Sequence, residues 1–180
     1  MPSLETNAFS QNKAKPWIIP FYGPYWYFKI SGESPGRMAR TTRGDPLKVN
    51  VRSTDDAPLL MEAHQYLSES VDLACCREIQ VVFRNDVSLG ASEVGLSLTD
   101  SHTKVKSKVS QSLGIKPIDP NTPPHLDGGT SPIEETVTFP LPKPGTIRKF
   151  DQITIILLPH LRYSTAGRKV AIERFVMVPN

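Results

Sequence analysis

The stretch Phe150-Asp151-Gln152-Ile153-Thr154-Ile155-Ile156-Leu157-Leu158 decides the fold class. It is the most apolar run in the chain, and Pro159 closes it. A run this short, rich in Ile and Thr and apolar on both faces, reads as a central β-strand.

On its C-terminal side, Ser164 to Arg168 with Gly167 forms a hairpin turn. The last strand follows over Lys169-Val170-Ala171-Ile172-Glu173-Arg174-Phe175-Val176-Met177-Val178, stopped by Pro179. Glu173 interrupts its apolar pattern. A charge between Ala171 and Phe175 implies a sheet edge, a bulge, or an ion pair with an arginine.

Toward the N-terminus, Glu135-Thr136-Val137-Thr138-Phe139-Pro140-Leu141 and Val94-Gly95-Leu96-Ser97-Leu98-Thr99-Asp100 alternate apolar and polar residues, the period-2 mark of half-buried strands. Ile79-Gln80-Val81-Val82-Phe83-Arg84 is strongly β-forming. Leu47-Lys48-Val49-Asn50-Val51-Arg52 alternates as well, Val109 to Gly114 reads as a short strand, and Trp17 to Ile30 as one strand or a pair. Pro58 to Tyr66 is the one helix-like segment. Residues 31–46 and 116–132, punctuated by Gly and Pro, read as loops.

The sum is an all-β chain of roughly seven or eight short strands with at most one short helix, hence a β-sandwich with the jelly roll as first choice. Residues 1–16 read as a flexible leader and 17–180 as one domain. The 180 residues suffice for a core without disulfides or metal. Seventeen prolines, nearly twice the usual share, favour short strands and rigid loops over helices.

Several function classes fall away on composition. A net charge of +3, from 21 cations against 18 anions, is too small an excess for a nucleic-acid partner. No secretory signal precedes Trp17. The aromatic run Trp17 to Phe28 is too short to span a bilayer and is broken by Pro20 and Pro24. Trp and Tyr do concentrate at membrane interfaces, so residues 17–28 suit membrane proximity in an extracytoplasmic or membrane-attached setting. Cys75 and Cys76 are the only cysteines. A disulfide between neighbours is strained and rare, so they read as two small hydrophobes at a strand start, with a redox role as the alternative.

From Ile79 to Asn85, Val94 to Asp100, Glu135 to Pro140, Phe150 to Leu158 and Val170 to Val178, the chain resembles the jelly-roll, galactose-binding-like sandwiches of carbohydrate-binding modules. The resemblance is a pattern of strands over about half the chain. It implies a non-catalytic binding or accessory domain for a glycan; the alternative is a structural or protein-interaction domain.

The residues themselves supply no catalytic set. There is no G-x-S-x-G, and His64, His102, His125 and His160 sit in different segments. Glu134 and Glu135 point to opposite faces if both lie in a strand, so they are not a glycosidase pair. No cofactor is implied; the one ion that Asp56, Asp86, Asp100 and Glu173 would suit is a structural calcium. Stacking on a sugar ring needs an exposed aromatic with polar neighbours. The ligand-binding candidates are therefore Trp26 and Tyr66 as platforms, with Arg84, Asn85 and Asp100 beside them. Lys104, Lys106 and Lys108 read as a solvated edge guarded by lysine.

Overall fold

A computed structural model describes residues 15–29, 40–48, 59–85, 92–102, 108–118, 133–158 and 170–180. Among them are ten strands: β1 (Trp17–Pro20), β2 (Tyr25–Lys29), β3 (Arg40–Thr42), β4 (Leu59–Asp72), β5 (Cys76–Asn85), β6 (Ser92–Asp100), β7 (Val109–Ile118), β8 (Ile133–Pro140), β9 (Lys149–Leu158) and β10 (Val170–Pro179). They form two antiparallel sheets, one of four strands in the order β1-β10-β5-β8 and one of six in the order β3-β2-β4-β9-β6-β7. The all-β sandwich is therefore the fold, with more strands than the pattern suggested.

The order has a simple logic. β6 pairs with β7, β5 with β8, β4 with β9 and β1 with β10. These are the rungs of one long antiparallel ladder folded back on itself, with alternate rungs assigned to opposite sheets. The β2–β3 hairpin is added at the β4 edge of the larger sheet.

Between the sheets lies one core. Phe83, Ile79 and Val81 of β5, Phe139 of β8 and Phe175 and Met177 of β10 meet Met61 of β4, Leu96 and Leu98 of β6 and Phe150, Ile153 and Ile155 of β9, all essentially without solvent contact. Where β7 and β8 bring the two sheet edges together, Lys116 Nζ donates to the Thr138 carbonyl at 2.5 Å and lies 5.6 Å from the centre of the Phe139 ring. A lysine on an edge strand thus occupies an edge acceptor.

Several local expectations change. Pro58 to Tyr66 was the helix-like segment, yet 59–72 is the longest strand. Leu59, Met61 and Ala63 face the core in a period of two, and pairing with β2 and β9 outweighs the helix propensity of Leu, Met, Glu and Ala. The start of the Leu47–Arg52 strand is instead a 3-10 turn, Pro46–Lys48, held by Asp45: its Oδ1 accepts from Leu47 N at 3.0 Å and its carbonyl from Lys48 N. Residues 49–52 lie outside the described residues, as do residues 1–14 of the 1–16 leader, the Ser164–Arg168 turn and loop residues 119–132. Strand β3 stands within the segment read as loop, and β7 runs on to Ile118. Cys75 and Cys76 are joined in a disulfide, where two free thiols were expected. A 3-10 turn at Leu73–Cys75, capped by Asp72, passes directly into extended backbone at Cys76 and brings the two sulfurs together, Cys75 exposed and Cys76 buried.

Glu173 has the explanation its position demanded. The register of β10 against β5 shifts between Ile172 and Arg174, so the strand carries a bulge there. Ile172 faces the core before the bulge, and Phe175 and Met177 face it after, a change of phase that only an extra residue allows. The backbone on either side of the bulge is satisfied in two ways: Tyr25 Oη, from β2 of the other sheet, accepts from Ile172 N at 2.8 Å, and Phe21 N, continuing the β1–β10 ladder past Pro20, donates to the Glu173 carbonyl at 2.9 Å. Burial pushes the Tyr25 phenol well above its ordinary range, and Tyr27 up to about 12 for the same reason, so both stay neutral under ordinary conditions.

Tyr25→Phe leaves the Ile172 N–H buried and unpaired, and is expected to cost about 1–3 kcal/mol in urea unfolding. Tyr22→Phe, at the exposed Tyr22 (85%), is expected to change stability by less than about 0.5 kcal/mol.

Candidate functional site

Residues alternate across a strand, so the positions between the core residues of the six-stranded sheet line its outer face. The register then lays them out in rows that run across strands. Trp26 of β2 stands opposite Glu62 of β4. His64 stands opposite Thr154, Thr154 opposite Ser97, and Ser97 opposite Ser112. In the next row Tyr66 faces Gln152, Gln152 faces Thr99, and Thr99 faces Ser110.

The face therefore has an aromatic end and a hydroxyl- and amide-rich middle. The His64 ring lies between the two aromatics, its centre 6.4 Å from that of Trp26 and 6.3 Å from that of Tyr66. Tyr66 is 60% exposed and Trp26 partly so.

A connected set of hydrogen bonds holds the polar groups. Gln152 Nε2 donates to His64 Nδ1 at 2.9 Å and to Thr154 Oγ1 at 3.3 Å. An amide nitrogen only donates, so His64 Nδ1 accepts and Nε2 carries the ring hydrogen. That nitrogen is bound to Glu62 Oε1. Farther along, Thr99 Oγ1 and Ser110 Oγ are 2.9 Å apart. Glu62, Thr99, Gln152 and Thr154 are buried despite their outward placement. Such groups persist because each is satisfied, and satisfaction fixes their geometry. With both nitrogens engaged, His64 is a rigid wall of the site.

Beside these rows the face dips. Gly95 offers no side chain between Ile156 and Ile115, and a cavity of about 260 Å³ opens over Leu60, Gly95, Ser97, Ser112, Ile115 and Ile156. Gly23 secures the aromatic end from below: a Cβ there would stand 1.6 Å from the His64 carbonyl oxygen. The backbone can approach that closely only at glycine.

Of the ligand-binding residues read from the sequence, the structure brings Trp26 and Tyr66 to this one face, flanking His64. Arg84 and Asn85 end β5, on the four-stranded sheet. Arg84 is bound up there with Asp45, Nη2 to Oδ2 3.5 Å, and Glu173, Nε to Oε1 2.6 Å. Asn85 pairs in register with Val170 and Ile133. Asp100 ends β6, where its Oδ1 accepts from His102 N at 3.0 Å and closes a turn. Glu62, His64, Gln152 and Thr154 escaped the sequence reading, the first two because they fell in the supposed helix. The signal was present: Glu62-His64-Tyr66 alternates with Met61-Ala63-Gln65.

The carboxylates suggested for calcium are dispersed. Glu173 is paired with Arg84 and with Arg174, Asp100 sits in its turn, and Asp56 and Asp86 lie outside the described residues. No three of His, Cys, Asp and Glu gather around one point among the described residues. Asp151, on β9, instead accepts from Ser101 N at 3.0 Å and from Ser101 Oγ, with His102 Nε2 at 3.3 Å. Burial pushes its carboxyl up, but the Ser101 hydrogen bonds and the neighbouring imidazole pull harder and leave it below its ordinary value of 3.8.

No known protein family matches the chain, and no curated protein matches its sequence. Among solved structures, the K1 cleaved adhesin domain of Lys-gingipain from Porphyromonas gingivalis W83 superposes with a TM-score of 0.46 at 9% identity, over 92% of this chain and 99% of that one. Likeness at that level transfers neither fold detail nor function.

Gly23→Ala is expected to destabilise the fold by about 1–3 kcal/mol in urea unfolding, because the His64 backbone must move. A carboxylate depressed on folding stabilises the native state above its unfolded value, and that contribution disappears as pH falls through the folded value. Asp151→Asn is therefore expected to unfold at lower urea than wild type at neutral pH. The gap should close as pH falls through about 3.9 and below.

Proposed function

We propose that the chain is a non-catalytic binding domain of jelly-roll type whose outer six-stranded face takes a glycan. The nested strand order, first with last, supports the jelly-roll assignment. The observation that carries the function is the Trp26–His64–Tyr66 end of that face together with the pre-formed Glu62–His64–Gln152–Thr154 hydrogen bonds.

A sugar ring has an apolar face of C–H groups and an equatorial edge of hydroxyls. Trp26 and Tyr66 offer flat surfaces for the former, and Thr154, Ser97, Ser112 and Gln152 offer donors and acceptors for the latter. Side chains already locked by their own hydrogen bonds lose little freedom when a ligand arrives. A holding role also fits His64 better than proton transfer, since both its nitrogens have partners. A domain of this kind fits an extracytoplasmic protein, and the exposed Trp17, Ile18 and Tyr22 support membrane proximity of the same end of the chain.

A second reading, a protein-interaction domain, is favoured by the exposed Ile115 beside the apolar hollow. Affinity gel electrophoresis against a panel of soluble polysaccharides separates the two. Retardation by at least one polysaccharide, weakened about tenfold or more in Trp26→Ala and in Tyr66→Ala, is expected. No retardation on any of them, or retardation that both variants retain, refutes the glycan reading.

A further inference from the structure

A second concavity lies on the other side of the β2 strand, over the bulge of β10. Its volume is about 290 Å³, close to the lower end for small-molecule sites. Phe21, Tyr22 and Tyr25 line it together with Asp45, Arg84 and Ile172.

Each part is held in place. The Tyr25 hydroxyl and the Phe21 N–H are fixed on the bulged backbone. Asp45 is fixed by its own 3-10 turn. The bulge turns Glu173 toward Arg84, and Arg174 binds the other oxygen of that carboxylate at 3.0 Å and Glu134 at 3.0 Å. The result is an alternating chain of charges, Asp45–Arg84–Glu173–Arg174–Glu134. Bulges recur where a strand must re-aim a side chain at a site; here Glu173 holds Arg84, which with Asp45 lines the cavity.

The chemistry restricts the ligand. Arg84 is already paired with the Asp45 and Glu173 carboxylates, so an anion in the cavity would meet Asp45 beside an already neutralised guanidinium, and a cation would meet that guanidinium. A guanidinium beside a carboxylate does complement neighbouring hydroxyls, each of which both donates and accepts. The aromatic wall of Phe21 and the exposed Tyr22 complements an apolar face. We propose that this cavity is a ligand site, separate from the Trp26 face, for a single neutral, hydroxyl-rich molecule of the size of one sugar unit. It stands whether or not the Trp26 face binds a glycan.

The test is titration of the isotopically labelled chain with free D-glucose, D-galactose, D-mannose and sorbitol, and with D-glucuronate and D-glucosamine as charged counterparts, followed through backbone amide resonances. Saturable shifts at Tyr22, Gly44 and Ile172 with at least one neutral probe are expected, with both charged counterparts at least about tenfold weaker. Tyr22→Ala should weaken this binding about three- to tenfold and leave the unfolding midpoint unchanged, since the ring is solvent-exposed. Trp26→Ala should leave it intact. Absence of saturable shifts at these amides with every neutral probe overturns the proposal, as does tighter binding of glucuronate than of glucose. Shifts confined to amides around Trp26, His64 and Tyr66 overturn it too, while leaving the glycan reading of that face standing.

Discussion

The bulge at Ile172–Arg174 is the constraint on which much of the molecule turns. A strand with a two-residue period keeps one set of side chains in the core from end to end. β10 does not: Ile172 is inward before the bulge, and Phe175 and Met177 after it. Beside the bulge the Ile172 N–H takes a side chain and not a strand as its partner, and a buried backbone group without a partner is costly. The Tyr25 hydroxyl accepts from it, and the Phe21 N–H carries the β1–β10 ladder one rung further, onto the Glu173 carbonyl. Those two contacts fix the β1–β2 connection, and with it where β2 lies against β4. Trp26, next to Tyr25 and of opposite facing, is thereby set on the outer surface beside His64.

The sandwich thus carries two different kinds of surface, each a consequence of the same backbone. On the six-stranded sheet, regular pairing spreads Thr, Ser, Gln and His into rows whose spacing is that of the strands themselves. On the side of the bulge, broken pairing gathers charges into a chain and leaves a cavity above it. The first surface is extended; the second is small, about 290 Å³. Neither requires the masking of an apolar core, because Phe83, Phe139, Phe150 and Phe175 are already covered by the opposing sheet.

Local sequence was a good guide wherever burial of one face set the pattern. Val94-Leu96-Leu98, Val137-Phe139 and the Phe150–Leu158 run named their strands and their inward residues, and the apolar run proved central, between β4 and β6. Glu173 announced a bulge or an ion pair, and both are there. The pattern misled where propensity and partners disagree. Leu-Met-Glu-Ala in β4 favours a helix in isolation, but the strand pairs on both sides and gives its backbone partners that no helix there would have improved upon. The adjacent cysteines were read from the rarity of their bond, whereas the turn preceding Cys76 makes it.

The site was legible in part. Trp26 and Tyr66 stand out in the sequence as aromatics, and the structure leaves Tyr66 exposed and Trp26 partly so. That they share a face with each other and with His64, and that Arg84 belongs to a different surface, depended on register between strands far apart in sequence. The sequence by itself determined the β class, most of the inward-facing residues and the irregularity at Glu173, because these follow from a two-residue period and from the cost of burying a charge. Only the tertiary structure decided which strands are neighbours, that Gln152 meets a histidine 88 residues away, and where the two concave surfaces lie. The reason is physical: periodicity is a property of one strand, whereas a site is made of pairings, and pairings are set by how the whole ladder rolls.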